Sequence, residues 1–352
     1  MRAVRISQNQ TDPTTRFSAE NPAPPSASVL DSNIPVPQIT HSDELSIRVR
    51  ASTVTRDELK WPETYLDIAI PGHDFSGTIV AVSPGYDSSD TDGKRGFNPG
   101  DEVYGMTLAT GKGSTWAEYA VVRSQEVSLK PKRFDWAQSA TVPMSALTAW
   151  QALFEKAGIL PPDFKDKSRN KVSQEGQSKG KISITGASGA IGTFLVQLAA
   201  LAGSHVVAAS TSNERNREFS LSLGASEAFE YGESEGMHGE YDVIIDTVGG
   251  TTLERCWSVV KEDGILVGVD TSSYDFVEKH RQQSFATGKD QVKAIFFIVE
   301  PSGAQSEQIA EASDSELLKV FVAQTSPMEE ASKAYESANE RSPRRGKIVL
   351  TI

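Results

Sequence analysis

Three glycines carry the clearest chemical signal in the chain. Lys181-Ile182-Ser183-Ile184-Thr185 is a short run rich in β-branched residues that passes straight into Gly186, Gly189 and Gly192, a G-x-x-G-x-x-G spacing. Behind the glycines, Ile191, Phe194, Leu195, Leu198, Ala199 and Ala202 recur at the spacing of one helix face. Small residues let a backbone approach a diphosphate, and a helix N-terminus offers free N–H groups and the positive end of its dipole. The segment therefore reads as the phosphate-binding turn of a dinucleotide fold, with Gly186, Ser188, Gly189, Ala190, Ile191 and Gly192 against the cofactor. Tight turns produce glycine patterns by chance; here strand, turn, helix and next strand stand in the required order.

The next strand, His205-Val206-Val207-Ala208-Ala209, decides which dinucleotide. A strand in this place usually ends in Asp or Glu when both ribose hydroxyls are to be bound. This one ends in Ser210-Thr211-Ser212, with Arg215 shortly after. Hydroxyls and a guanidinium bind a 2′-phosphate through charge-assisted hydrogen bonds, whereas a carboxylate would repel it. Ser210, Thr211 and Arg215 thus predict NADPH; the alternative leaves Arg215 as a solvated helix residue paired with Glu214 or Glu218. Two further buried strands follow, Tyr241 to Asp246 and Gly264 to Val269. Ligands in such sheets sit beyond the carboxyl ends of the strands, so Asp246, Val248 and Val269 are expected to line the cofactor cleft, and Tyr231 joins them. For Asp246, capping a helix is an equal alternative.

The elements around these residues fall into two kinds. The first part of the chain is mostly β: Leu45 to Arg50 alternates apolar and polar residues, and Phe75 to Val82 and Trp116 to Val122 are further short strands. After Ala137 helices enter, beginning with Ala146 to Leu153. From Lys181 strands and helices alternate, which predicts an α/β fold with a doubly wound parallel sheet. Thr11 to Gln38, Pro84 to Gly100 and Pro161 to Gly180 are rich in loop-forming or polar residues and read as loops or insertion. At 352 residues the chain exceeds one ordinary core, so two domains are expected.

The net charge of −12 argues against nucleic acid or an anionic membrane as partner. The lone cysteine, Cys256, cannot form an intramolecular disulfide, and the segment from Met1 to Ser7 lacks the apolar core of a signal peptide. The densest apolar stretch, Ala294 to Val299, is too short to span a bilayer. A cytoplasmic location is expected. The expected partner is a small molecule, and a homodimer is left open.

Several motifs, in order, resemble the medium-chain dehydrogenase/reductase superfamily in its zinc-independent, quinone oxidoreductase and enoyl reductase-like branch. They are Pro71-Gly72-His73-Asp74-Phe75-Ser76-Gly77, Pro99-Gly100-Asp101-Glu102-Val103-Tyr104-Gly105, Ala117-Glu118-Tyr119 and Leu147-Thr148-Ala149-Trp150-Gln151-Ala152-Leu153. The glycine turn, Asp246-Thr247-Val248-Gly249-Gly250 and Gly346-Lys347-Ile348-Val349-Leu350 complete the series. The resemblance implies a GroES-like β-barrel catalytic domain of residues 1–146, completed by 291–352, with a Rossmann domain of 147–290 inserted.

Zinc-dependent relatives hold their catalytic metal with a Cys, the His of a Gly-His-Glu motif and a later Cys or Asp. Here His73 is present, but the earlier Cys position falls in Thr53-Val54-Thr55 and nothing from Ala146 to Trp150 supplies a thiolate or carboxylate. A single imidazole makes a poor tetrahedral site, so no metal is expected and His73 is read as structural. Without a Lewis acid, the chemistry that fits is hydride transfer to an already polarised quinone or to the C=C bond of an α,β-unsaturated carbonyl. Relatives carry an Asn-Pro-x-Asp-like segment that frames the nicotinamide; this chain reads Thr55-Arg56-Asp57-Glu58. Thr148 is the position the resemblance places at the nicotinamide. Where the family Asn is missing, Thr55 can offer a hydroxyl to the ring or substrate, and Tyr65 is the candidate proton donor, with aromatic packing as its equal alternative. An NADP-dependent alcohol dehydrogenase remains open. So does an NADPH-binding sensing or structural protein, or an enoyl reductase acting on a partner-bound substrate.

Overall fold

A computed structural model describes residues 1–8, 16–65, 70–84, 86, 96–108, 114–164, 180–231, 239–340 and 344–352. Most of the insertion read at Pro161 to Gly180, and parts of the loops at Thr11 to Gln38 and Pro84 to Gly100, lie outside the described residues. The chain forms two units. One comprises Met1–Met144, Pro301–Asp314 and Val320–Ile352; the other comprises Ser145–Glu300 and Ser315–Lys319.

The first unit is β-rich. A two-stranded ribbon pairs β1 (Ala3–Ile6) with β2 (Ser28–Asp31). A larger sheet is built on the long strand β3 (Glu44–Val54), with β4 (Asp74–Val82), β5 (Glu102–Met106), β6 (Tyr119–Arg123) and β7 (Val127–Leu129). Alternate residues of β3, namely Leu45, Ile47 and Val49, meet Phe75, Ile79, Val103, Ala120, Val122 and Val127 in one core. The short helix α1 (Trp136–Ala140) begins at Asp135, whose carboxylate accepts the Gln138 N–H. Helix α2 (Pro143–Trp150) follows, and the chain leaves this unit within its first turn.

In the second unit six strands lie parallel: β8 (Lys181–Thr185), β9 (His205–Ser210), β10 (Glu227–Glu230), β11 (Tyr241–Asp246), β12 (Val260–Gly268) and β13 (Lys293–Phe296). Their order is β10-β9-β8-β11-β12-β13, so the order reverses direction between β8 and β11. Sheets of this kind bind ligands at that reversal, beyond the strands' carboxyl ends. Between strands run α3 (Ala190–Leu201), α4 (Asn213–Ser222), α5 (Gly250–Val259) and α6 (Phe276–Arg281). Helix α3 is buried beyond the stripe read from its sequence: Thr193, Val196 and Gln197 are covered as well. Gln197 is docked on the backbone of Lys319, donating to its carbonyl at 3.1 Å and accepting its N–H at 2.7 Å.

The chain returns to the first unit through α7 (Gly303–Asp314), β14 (Val322–Pro327), α8 (Ala331–Asn339) and β15 (Lys347–Thr351). The sheet path is β14-β15-β3-β4-β5-β7, with β6 also on β3. Among the described residues no pairing joins β14 to β7, so the GroES-like sheet is open where a closed barrel was expected. Helix α7 covers β7 instead: a Cβ on Gly303 would lie 2.3 Å from the Val127 carbonyl oxygen.

The structure also sets the unit boundaries. They were expected at 146/147 and 290/291, and they fall at Met144/Ser145 and Glu300/Pro301, with Ser315–Lys319 returning to the second unit. The run Lys293–Phe296 fits either sheet by composition; its pairing with β12 makes it the edge of the parallel one. Among the described residues no helix is long and apolar enough to cross a membrane.

Candidate functional site

Two glycines of the phosphate turn leave no room for a side chain. Gly186 has φ +64°, and a Cβ there would lie 2.2 Å from Thr247 Oγ1. A Cβ on Gly192 would lie 2.1 Å from the Gly186 carbonyl oxygen and 2.7 Å from Ala187 Cα, so this residue lets α3 start directly against the turn. The Gly189 N–H closes the turn on the Gly186 carbonyl at 2.8 Å. No side chain caps the start of α3, which leaves its first N–H groups, at Ala190 and Ile191, for an anion. A bare backbone cradle at an uncapped helix start fits the diphosphate of a dinucleotide.

The neighbouring strand end braces this turn. Thr185 Oγ1 lies 2.5 Å from Asp246 Oδ1 and accepts the Thr247 N–H, while Thr247 Oγ1 donates to the Thr185 carbonyl at 3.0 Å. The other Asp246 oxygen accepts the N–H groups of Val248 at 3.2 Å and Gly249 at 2.6 Å. Asp246 is fully buried, and burial raises its carboxyl above the usual range despite these bonds. Both oxygens serve the chain's own donors and brace the turn before α5, whose start no side chain caps. Val248 is partly exposed beside Gly186, and the Val269 N–H is held by the Asp246 carbonyl at 3.0 Å. Tyr231 reaches the turn from the end of β10, its hydroxyl accepting the Gly186 N–H at 2.8 Å. Burial pushes that phenol up to about 12.

At the end of β9, Ser210 is buried, Thr211 is exposed and Arg215 lies exposed in the first turn of α4. Ser210 Oγ accepts from Asn216 Nδ2 at 3.2 Å. One residue here escaped the sequence reading. Glu230, paired in register with Ser210, accepts the Asn213 N–H at 2.5 Å. Sequence carried no signal for it, because β10 enters the argument only once its register is known. The structure thus gathers Gly186 to Gly192, Ser210, Thr211, Arg215, Tyr231, Asp246, Val248 and Val269 along the carboxyl ends of one parallel sheet. Thr148 lies buried in α2 of the same unit.

The remaining candidates belong to the first unit and follow β3. Thr55 is half-buried, its hydroxyl 3.9 Å from Met144 Sδ. Three residues on, Glu58 is completely buried; its carboxylate accepts the N–H groups of Gly72 at 2.5 Å and Thr55 at 3.2 Å. Glu58 Oε1 lies 3.8 Å from His73 Nε2, and the Trp61 ring stands 5.5 Å from the imidazole. Burial raises the Glu58 carboxyl above the usual range, and His73 partly offsets that. His73 packs between Glu58 and Trp61, with Glu58 the partner that sequence missed. Tyr65 is not placed as a proton donor. Its hydroxyl donates to the Leu59 carbonyl and accepts the Ala23 N–H at 2.8 Å, and its ring packs on the core around Leu59 and Tyr335. These two backbone partners favour the packing alternative for Tyr65. Among the described residues no three His, Cys, Asp or Glu side chains are grouped as a metal site. Cys256 is buried in the second unit, where burial holds its thiol well above its ordinary value.

Comparison with known proteins gives the family. The alcohol dehydrogenase GroES-like domain family matches residues 41–132, and the zinc-binding dehydrogenase family matches residues 223–350. A probable zinc-binding mitochondrial oxidoreductase of Arthroderma benhamiae is 30% identical over 354 residues, spanning 97% of this chain and 98% of its own length. The mitochondrial NAD(P)H oxidoreductase RTN4IP1 of Mus musculus is 27% identical over 361 residues, spanning 91% of this chain and 84% of its own. Among solved structures, the quinone oxidoreductase from Coxiella burnetii superposes with a TM-score of 0.78 at 20% identity, covering 100% of this chain and 99% of that one.

Proposed function

The chain belongs to the medium-chain dehydrogenase/reductase superfamily, in its quinone and enoyl reductase-like branch, and on that premise we propose that it is an NADPH-dependent, zinc-independent reductase of quinones or α,β-unsaturated carbonyls. That it is an oxidoreductase using a nicotinamide cofactor on a small molecule follows from the family and its NAD(P)H-named relatives. The observation that carries the proposal is the glycine cradle at the uncapped start of α3.

Each finer part has its own support. NADPH is favoured because β9 ends in Ser210 and Thr211 with Arg215 near, a set that can hold a 2′-phosphate by hydrogen bonds and charge. Zinc independence rests on the donor set: the sequence offers His73, but no thiolate at Thr53-Val54-Thr55 and no thiolate or carboxylate from Ala146 to Trp150. When bound, the cofactor supplies a hydride; the protein binds it through the turn and orients its diphosphate. Thr55 and Thr148 are proposed to contact the nicotinamide or substrate.

Loss of NADPH absorbance should be followed against a panel of quinones, alkenals, enoyl thioesters and simple aldehydes, before and after dialysis with a chelator. Turnover of a quinone or an activated alkene that survives chelation is expected. Turnover confined to aldehydes, abolished by chelation and restored by zinc, would favour a metal-dependent alcohol dehydrogenase. No turnover of any acceptor despite tight NADPH binding would favour a sensing or partner-dependent protein.

A further inference from the structure

We infer that Glu230 sets how strongly this protein distinguishes NADPH from NADH, by fixing a negative charge where the adenosine ribose is read. The inference rests on the proposed reading of Ser210 to Arg215 as that ribose site. Strand β9 ends without an acid, yet an acid stands beside its end. Glu230 is the register partner of Ser210 on the adjacent parallel strand, about 4.8 Å away by strand spacing. Its Oε1 accepts the N–H of Asn213, the first residue of α4, at 2.5 Å. Ser212, the residue before that helix, provides no side-chain cap, so the carboxylate of the next strand takes the place.

The charge is also held in position. The following residue, Tyr231, is tied to the Gly186 N–H at 2.8 Å, so this pair of residues touches the phosphate turn at one end and the start of α4 at the other. A 2′-phosphate brings close to two negative charges, and it would compete with Glu230 for the same helix start. A 2′-hydroxyl brings none and can donate to a carboxylate. Glu230 therefore works against NADPH and leaves NADH undisturbed. The repulsion that an acid at the end of β9 would exert comes here from β10, while Arg215 acts in the opposite sense.

Equilibrium binding of NADPH and NADH, with 2′,5′-ADP and 5′-AMP as fragment probes, tests this without any substrate. Glu230→Gln keeps an oxygen for the Asn213 N–H and removes only the charge. It should strengthen NADPH and 2′,5′-ADP binding about tenfold, the size of a screened carboxylate–phosphate repulsion, and leave NADH and 5′-AMP within about twofold. The gain should shrink as salt is added. Glu230→Asp, which keeps the charge on a shorter side chain, should retain the native preference. An unchanged preference in Glu230→Gln, an equal change for both cofactors, or the same effect from Gln and Asp would overturn the inference. Arg215→Ala separates the two levels. If it weakens NADPH selectively while Glu230→Gln changes nothing, the ribose site stands and Glu230 has no part in selectivity. If neither variant alters selectivity, the reading of the ribose site fails with it.

Discussion

Asp74 and Lys347, 273 positions apart in the chain, form an ion pair that is almost completely buried between β4 and the start of β15. The same carboxylate accepts from Thr53 Oγ1 and from the Met144 N–H, both at 2.7 Å, so it joins β3, β4, β15 and the start of α2 at one point. Gly346 makes the approach of Lys347 possible: its φ is +97°, and a Cβ would lie 1.8 Å from the Phe321 carbonyl oxygen. Breaking a buried pair from one side strands the other charge. Lys347→Met should cost about 3–5 kcal/mol in a denaturant titration, and adding Asp74→Asn should recover part of it. Equal loss from the single and double variants would show that the charge is not what matters.

The glycine cradle predicts a defect in binding ahead of any defect in folding. Gly192→Ala must push α3 off the turn, because its Cβ has 2.1 Å to the nearest carbonyl oxygen. Overpacking of this kind costs about 1–3 kcal/mol, and the helix start moves with it. Titration of NADPH by fluorescence should show at least a tenfold loss, with the far-ultraviolet circular dichroism unchanged. Native affinity in the variant would remove the diphosphate from this turn.

Cofactor preference should depend on Arg215. The unaltered protein is expected to bind NADPH at least tenfold more tightly than NADH, a difference of about 1.4 kcal/mol or more. Arg215→Ala should weaken NADPH and spare NADH in the same calorimetric experiment. Equal affinity of the native protein for both cofactors would contradict the choice of NADPH.

Tyr65→Phe removes a hydroxyl that bridges the Leu59 carbonyl and the Ala23 N–H. The cost should appear as about 1 kcal/mol of stability, with turnover unchanged on quinone and enone alike. A fall in kcat confined to the enone, with thermal stability intact, would return the proton-donor role to Tyr65.

Glu58 gives a pH signature with a definite sign. Its folded-state carboxyl titrates above the ordinary 4.5, so the folded chain holds that proton more tightly than the unfolded chain does. Stability from this group is therefore greatest below pH 4.5 and declines as pH rises through the raised value. Glu58→Gln cannot ionise. Any loss from mispairing with the Gly72 and Thr55 N–H groups is a constant offset, so the variant should gain relative to the native protein as pH is raised from 4 to about 8. Thermal midpoints across that range that run parallel for the two proteins would show that burial does not perturb Glu58.

What the sequence determined by itself is local. Spacing within one turn specified the phosphate cradle, since Gly186, Gly189 and Gly192 act within a few residues of one another. The alternation of strand and helix specified the parallel sheet, and the run of motifs from Pro71 to Leu350 specified the family. Everything that depends on which strand lies beside which was decided by the tertiary structure. Lys293–Phe296 became an edge of the parallel sheet through its register with β12, and the GroES-like sheet stayed open with α7 over β7. Tyr65 gained two backbone partners, one of them at Ala23, far back in the chain. Asp246 became a brace because Thr185 stands opposite it on β8. Glu58 and Glu230 look like surface acids in a linear reading. Burial against Gly72 and His73 gives the first its character, and register with Ser210 gives the second its place, because the electrostatics of a carboxylate depend on its neighbours in space.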